Sequence, residues 1–243
     1  MNLANLSPKA IAQHRDERLK AVGNGTVLRD LAVIRSVINH ARREWGFSIA
    51  NPVEGVRLPS APPHRERILS DEEELRLLAA LTPGPLRNAN GRFSHEARNP
   101  WVRWVVAFAL ETAMRRGEIL ALQWKNVELV KRTAYLPMTK NGRSRHVPLS
   151  SRAIELLRSL PRSIDGRVFP LAHWSVAQVF EAACMRAGIK DMRFHDLRHT
   201  ATSRMSSKVP NVIELAAITG HSNLAMLRRY YHITAEDLAK KLG

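Results

Sequence analysis

Cysteine is nearly absent from this 243-residue chain: Cys184 stands alone, which excludes an internal disulfide framework and any cysteine-built zinc site. Tyrosine is almost as scarce, with Tyr135, Tyr230 and Tyr231 making up the full set. Acidic residues number 22 against 38 lysines and arginines. No apolar run approaches the roughly 18 residues that a membrane span needs. Met1 to Ala12 has no continuous apolar core flanked by basic residues, so no secretory signal is expected there. A Walker phosphate loop, a dinucleotide-binding fingerprint and a carboxylate metal cluster are missing too. The expectation is a soluble, cytoplasmic chain.

What is present is charge and a core. Hydrophobic residues make up 44% of the chain, enough to fill one sizeable domain or a large one with a smaller partner. The formal net charge is +16. A field of that sign attracts polyanions and makes their binding salt-dependent through counterion release. Nucleic acid is the expected partner. A solvated basic surface, or binding to structured RNA, is the plainer alternative.

Helical signals open the chain. Ser7-Pro8 has the cap-then-proline order of a helix start, and that helix is predicted to reach about Val22. Gly23-Asn24-Gly25 breaks it, and Thr26 is expected to cap a second helix. There Val27, Leu31, Ile34, Ile38, Ala41 and Trp45 recur at helical spacing, with Arg29, Arg35, Arg42 and Arg43 largely opposite. Two helices with one stripe each make a thin core. Residues 59–67, rich in proline and charge, read as an extended linker.

A second unit begins at Ser70, whose following Asp71, Glu72 and Glu73 suit the positive end of a helix dipole. Residues 82–98 are expected to form a loop. An apolar helix is predicted from Pro100 to near Met114, and a short one around Ile119, Leu120 and Leu122. The period then changes: 126–130, 133–136 and 144–148 read as three short strands of a small antiparallel sheet. Helices are expected again at about 150–160, 174–187, 196–207, 211–218, 222–231 and 234–241. The predicted class is mainly α with one small antiparallel β-sheet.

Four places in this second unit could carry chemistry. Arg115, in Thr-Ala-Met-Arg115-Arg-Gly-Glu, sits where two helices join and can present a planar donor fork to a phosphate. Lys140 lies in a predicted β-turn and is more often simply solvated there. In His195-Asp-Leu-Arg198-His199, positions i, i+3 and i+4 share a helical face. The histidine spacing also fits a metal pair, but no glutamate follows the first histidine and cationic Arg198 opposes a metal. A phosphate suits the trio better. His221 follows Gly220 at a helix end, a capping position, and Tyr230 and Tyr231 come nine and ten residues later. A tyrosine behind a Gly-His turn in a very basic protein is a candidate nucleophile toward a phosphodiester.

Arg115, Lys140, His195, Arg198, His221 and Tyr230 form an ordered set that resembles the tyrosine recombinases, the phage integrase family. The arginine segment followed by Ile-Leu-Ala-Leu-Gln-Trp is similar to the family's first-arginine box. Thr139-Lys140 with Arg145-His146-Val147-Pro148-Leu149 is similar to its β-hairpin lysine segment. His195-Asp-Leu-Arg198-His199-Thr200 matches the His-x-x-Arg box, and Gly220-His221 with Tyr230 matches the last. Four boxes in order over some 120 residues are specific where each alone is weak. Two departures stand out: Ala113 where the family usually has Gly, and Thr219 where Leu is common.

The resemblance implies a catalytic domain over 68–243, a linker at 59–67, and in 1–58 the C-terminal part of a helical core-binding domain that clamps DNA. It implies a site-specific recombinase working on double-stranded DNA as a homotetramer, without cofactor, metal, membrane or small-molecule substrate. Arg115 and Arg198 would bind the scissile phosphate. Lys140 would be the general acid for the departing 5′-oxygen, His195 would assist proton transfer and His221 would donate to the phosphate. Tyr230, favoured over Tyr231 by its nine-residue offset, would form a 3′-phosphotyrosyl link that conserves the bond energy. The segment 233–243 would pack between protomers or fold back on its own domain. A non-catalytic DNA-binding derivative and a type IB topoisomerase are the alternatives, with a metal-dependent nuclease a distant third.

Overall fold

The computed structural model describes residues 6–83, 99–138 and 144–231, together with Glu236, Ala239 and Leu242. The chain divides into two compact units, Met1–Arg65 and Glu66–Gly243. The expected turn with Lys140, most of the 82–98 loop, and most of the 233–243 segment lie outside the described residues.

The first unit is a helical hairpin. Helix α1, Pro8–Ala21, starts where Ser7 accepts a hydrogen bond from the Ala10 amide and Pro8 follows the cap. Helix α2 spans Asn24–Glu44. It begins two residues before Thr26, so Thr26 is not its cap. Gly23 holds that place with an extended backbone, and the two helices are separated by a sharp corner rather than a loop. Ile11, Val27, Leu31 and Val53 form the core. Ile38 and Ala41 are buried as their spacing predicts, but Trp45 is 63% exposed. The helix ends at Glu44 and Gly46 turns left-handed, which takes Trp45 off the stripe and edge-on to His40 and Phe47. The four arginines expected opposite the stripe are all exposed.

The second unit is built around a central helix. Helix α3, Asp71–Ala80, opens with a capping box between Ser70 and Glu73. Helix α4, Pro100–Thr112, is apolar almost all round and buries Val102, Val105, Val106, Phe108, Ala109 and Leu110. A helix of that kind belongs in the middle of a core, and α3, α5 (Arg116–Ala121), α6 (Ser151–Ser159), α7 (His173–Arg186) and α8 (Phe194–Ser206) pack around it. Helix α9 is Val212–Thr219. Strands β1 (Val127–Glu128), β2 (Thr133–Leu136) and β3 (Arg145–Pro148) form the antiparallel sheet in sequence order. Helix α8 starts two residues earlier than its sequence pattern indicates, because Asp196 reaches back to the Arg193 amide and caps it.

The predicted helix over 222–231 is instead two 3-10 turns, Leu224–Met226 and Arg228–Tyr230. Asn223 caps the first through the Ala225 amide. Leu227 is the one fully buried side chain here, so no apolar stripe exists to hold a longer α-helix.

Candidate active site

The site is assembled where the ends of α4, α8 and α9 meet the start of α5 and one edge of β3. Helix α4 stops at Ala113, whose backbone is left-handed at φ 52° and ψ 19°. That turn redirects the chain so that Arg115 stands at the entrance to α5. Its guanidinium donates to the Gly220 carbonyl at 3.3 Å and to Glu118 at 2.9 Å. Glu118, with only 6% of its side chain exposed, also accepts two hydrogen bonds from Arg145 at 3.1 Å each. One buried carboxylate therefore aims two arginines.

Arg198 is the most enclosed of the cations, 4% exposed. It donates through Nη1 to the Ala113 carbonyl at 2.6 Å and lies 3.3 Å from His221 Nε2 through Nη2. His221 follows Gly220, which is left-handed at φ 72°. A side chain at Gly220 would also collide with Arg145, whose Nε would lie 2.7 Å from its Cβ. Thr219 completes the group. Its hydroxyl donates to the Leu215 carbonyl at 2.6 Å, so toward His221 Nδ1, 2.7 Å away, it can only accept. His221 is thereby assigned an N–H on Nδ1, which leaves Nε2 to accept from Arg198.

The tyrosines separate cleanly. Tyr230 places its hydroxyl 2.6 Å from His199 Nδ1. Tyr231 gives its hydroxyl to the Val209 carbonyl at 2.6 Å and packs in a small cluster with Leu215 and Leu227. A 3-10 turn that ends at Tyr230, rather than helical geometry, sends the two rings different ways. His195 is exposed and lies edge-on to His199, ring centroids 5.2 Å apart. Arg229 stands over the Tyr230 ring at 5.1 Å.

The electrostatics are those of a site short of negative charge. Burial, with Arg115 adding to it, pulls Arg198 down to about 9. Burial and the cations Arg198 and Arg115 pull His221 down to about 3, and burial with Arg229 and His195 pulls His199 down to about 4. Burial lowers Arg145 as well, against the attraction of Glu118. Tyr230 is raised above its ordinary value by burial, which outweighs Arg229 and Arg198. Arg145 Nε and Arg229 Nε are buried donors with no hydrogen-bond partner among the described residues. The excess of positive charge is one that an anion would offset.

Of the six expected residues, Arg115, Arg198 and His221 converge. Tyr230 joins them through His199 on the same helix, and His195 touches that histidine from the exposed side. Lys140 lies outside the described residues. Glu118, Arg145, His199, Thr219 and Arg229 were not among the expected site residues. Three of them left a trace in the sequence, His199 by sharing a helical face with His195 and Arg198. Glu118 is the lone acid of a short apolar helix at i+3 from Arg115. Arg145 alternates with buried Val147 on the inward face of β3.

This is a cluster of arginines and histidines beside a tyrosine hydroxyl, carried on a mainly helical domain with a three-stranded sheet. The chain belongs to the phage integrase family, whose model matches residues 68–237. It is 40% identical over 250 residues to a shufflon-specific DNA recombinase of Escherichia coli, covering 99% of this chain and 62% of that protein. It is 34% identical over 243 residues to an integrase/recombinase of Haemophilus influenzae, covering 98% and 75%. A lambda integrase tetramer bound to a Holliday junction has the same fold, with a TM-score of 0.74 at 18% identity over 94% of this chain and 65% of that one. The Tn1549 transposon integrase in complex with transposon right end DNA gives 0.73 at 16% identity, over 100% and 86%.

Proposed function

We propose that this chain is a site-specific recombinase that cuts and rejoins double-stranded DNA through a 3′-phosphotyrosyl intermediate on Tyr230. The observation that carries this is the convergence of Arg115, Arg198 and His221 beside a tyrosine hydroxyl held by His199 of α8, with two buried arginine N–H donors unpaired among the described residues. Positive charge fixed in place before the substrate arrives stabilises a pentavalent phosphorane, and each such donor contributes roughly 10²–10³-fold. With its Nε2 lone pair toward Arg198 in the DNA-free protein, His221 donates to a phosphate oxygen by switching to the neutral tautomer that carries its N–H on Nε2. Lys140 protonates the departing 5′-oxygen.

Residues 68–243 carry the chemistry and 1–58 hold the DNA, joined by 59–67. The start of the family match at residue 68 and the division between Arg65 and Glu66 support that partition. The relatives that carry the family assignment extend beyond this chain's span, and their activity is brought here by the site rather than by their names. Two duplexes and four cuts require four protomers. The lambda integrase tetramer on a Holliday junction supports the same assembly here.

A nicked suicide duplex that traps covalent intermediates tests the proposal. The unchanged protein and Tyr231→Phe should give detergent-resistant adducts, and Tyr230→Phe none. Adducts formed by Tyr230→Phe would refute the assignment. Salt-reversible binding without adducts would favour a non-catalytic DNA-binding derivative. Relaxation of plasmids that lack a specific site would favour a topoisomerase.

A further inference from the structure

We propose that His199 is the catalytic base for Tyr230, taking the phenolic proton as the phosphodiester is attacked and returning it when the strand is resealed. This rests on Tyr230 being the nucleophile. The group hydrogen-bonded to the nucleophile is His199, whereas the resemblance gave the proton-transfer role to His195.

Geometry fixes the direction of the hydrogen bond. His199 Nδ1 lies 2.6 Å from the Tyr230 hydroxyl and 3.4 Å from Arg229 Nη2. A guanidinium has no acceptor and the ring is held neutral by burial and its cationic neighbours, so a lone pair on Nδ1 is the arrangement that serves both contacts. The imidazole is then neutral with its N–H on Nε2, and the phenol donates. That is the arrangement a base needs before reaction: lone pair on the proton to be removed, at a heavy-atom separation within hydrogen-bond reach. His195 meets His199 edge-on and is exposed, which suits it to exchange protons between His199 and solvent rather than to reach the phenol.

The charged and titratable groups facing His199 are Tyr230 and Arg229 from the second 3-10 turn, His221 beyond α9, and His195, Asp196 and Arg198 from α8 itself. Arg229, His195 and Arg198 disfavour a second proton on the ring. In the DNA-free protein the proton therefore stays on Tyr230, and the nucleophile is silent. A phosphodiester seated between Arg115 and Arg198 brings the negative charge that offsets those cations. Proton transfer is thus tied to the presence of the substrate.

The step balances. A bond forms between Tyr230 Oη and phosphorus while the bond from phosphorus to the 5′-oxygen breaks. The phenolic proton moves to His199 Nδ1, and the 5′-oxygen takes a proton from Lys140. Resealing runs the same path backward, with the His199 imidazolium protonating the departing phenolate.

The experiment measures the initial rate of adduct formation on the suicide duplex, from about pH 5.5 to 9, for the unchanged protein, Tyr230→Phe, His199→Asn and Lys140→Ala. Asparagine places an amide near the position of Nδ1 and cannot take the proton. His199→Asn should lower the rate by about 10²-fold or more throughout that range. Salt-dependent DNA retention on filters should be unchanged, which reports that the variant is folded. A substrate whose 5′-bridging oxygen is replaced by sulfur needs no general acid. It should restore Lys140→Ala and leave His199→Asn slow. A His199→Asn protein that keeps the normal rate would overturn the role of His199 alone, as would one that cuts faster, since His199 would then be a latch. An unchanged protein that forms no adduct, or adducts that persist in Tyr230→Phe, would overturn the functional reading and this inference with it.

Discussion

Arg198 and His199 are neighbours on one helix, yet they serve two unlike halves of the site. The phosphate half draws on five elements: Arg115 and Glu118 from α5, Arg145 from β3, Arg198 from α8, the turn at Ala113, and Thr219-Gly220-His221 at the end of α9. Its cations are held by hydrogen bonds to groups that cannot move without unfolding something. The nucleophile half draws on α8 and a short 3-10 turn. Tyr230 is held there through its hydroxyl by His199, and its carbonyl accepts from Ser206 Oγ at 3.0 Å. The difference teaches where rigidity is placed. Charge stabilisation must be in position before the transition state forms, since reorganising dipoles costs energy at the moment of reaction. A nucleophile must approach, attack, stay bound and leave, so it sits on the lightly braced side.

The sharpest way to break this contrast is Glu118→Gln. The carboxylate is nearly buried and holds both Arg115 and Arg145. Removing its charge leaves two buried or half-buried guanidinium groups without a counter-ion, a change that costs about 3 kcal/mol or more in comparable buried networks. The denaturation midpoint should fall accordingly. Adduct formation should fall by more than 10²-fold, because both arginines lose their aim. If stability and rate both stay near normal, the phosphate half is not braced as described.

Acid should press on both halves at once. His199 and His221 titrate at about 4 and about 3 in the folded protein, against about 6.5 for an unperturbed histidine. Between those values the unfolded chain binds more protons than the folded one, so stability rises with pH there. The contribution is complete above about pH 6.5 and is lost as pH falls through that value toward 4 and 3. Urea midpoints measured from pH 7.5 to 5, above the range of ordinary carboxylates, should decline steadily. His199→Asn should remove part of the slope. A flat profile would mean that neither histidine is held neutral.

The two halves also differed in how far the sequence revealed them. The phosphate half is spelled out by residue type. Arg115 and Arg198 in their boxes, and His221 after a glycine, are recognisable because each rests on a local signal: a helix junction, an i,i+3 pair, a left-handed cap. What escaped is the long-range pairing. Nothing near Glu118 says that Arg145, 27 residues away, will share its carboxylate; only the sheet register brings them together. On the nucleophile side, Tyr230 was singled out by spacing, but the expected helix over 222–231 became 3-10 turns because burial is concentrated at Leu227. His199 was placed on the right face and given no role, since its partner arrives from 31 residues downstream. In the first unit, Trp45 and Thr26 depart from the periodic pattern for one reason: helix ends are set by single turns that periodicity does not register.

Thr219→Val tests a finer feature of the phosphate half. Valine keeps the shape of a fully buried side chain but cannot bond to His221 or to the Leu215 carbonyl. The histidine then loses the acceptor that fixes its tautomer. Losing a hydrogen bond of this kind is worth about 1 kcal/mol, so a cleavage rate lower by about fivefold to tenfold is expected, with Thr219→Ser close to normal. Nitrogen chemical shifts of His221 should show a mixed tautomer in the valine variant only. A single unchanged tautomer would place its control elsewhere.

The smallest expected effect concerns Ala113, and the contrast between two replacements is the informative part. Its backbone is left-handed, which costs an L-residue with a Cβ roughly 1–2 kcal/mol. It holds this shape because Thr112 and Met114 on either side are buried and because its carbonyl accepts from Arg198 at 2.6 Å. The strain is thus spent on aiming the cation that contacts His221. Glycine adopts the same angles without penalty, but it gives the unfolded chain more freedom, which takes back about 0.4–1 kcal/mol, and it removes a fully buried methyl worth about 0.8 kcal/mol. Ala113→Gly should therefore stay within about 1 kcal/mol of the unchanged protein, with the rate of adduct formation unchanged, since the carbonyl stays where it is. Ala113→Val should lose more than 1 kcal/mol and slow cleavage, because a β-branched side chain resists that backbone and would pull the carbonyl from Arg198. If valine is tolerated as well as glycine, the turn is not strained, and Arg198 is aimed by its packing in α8 instead.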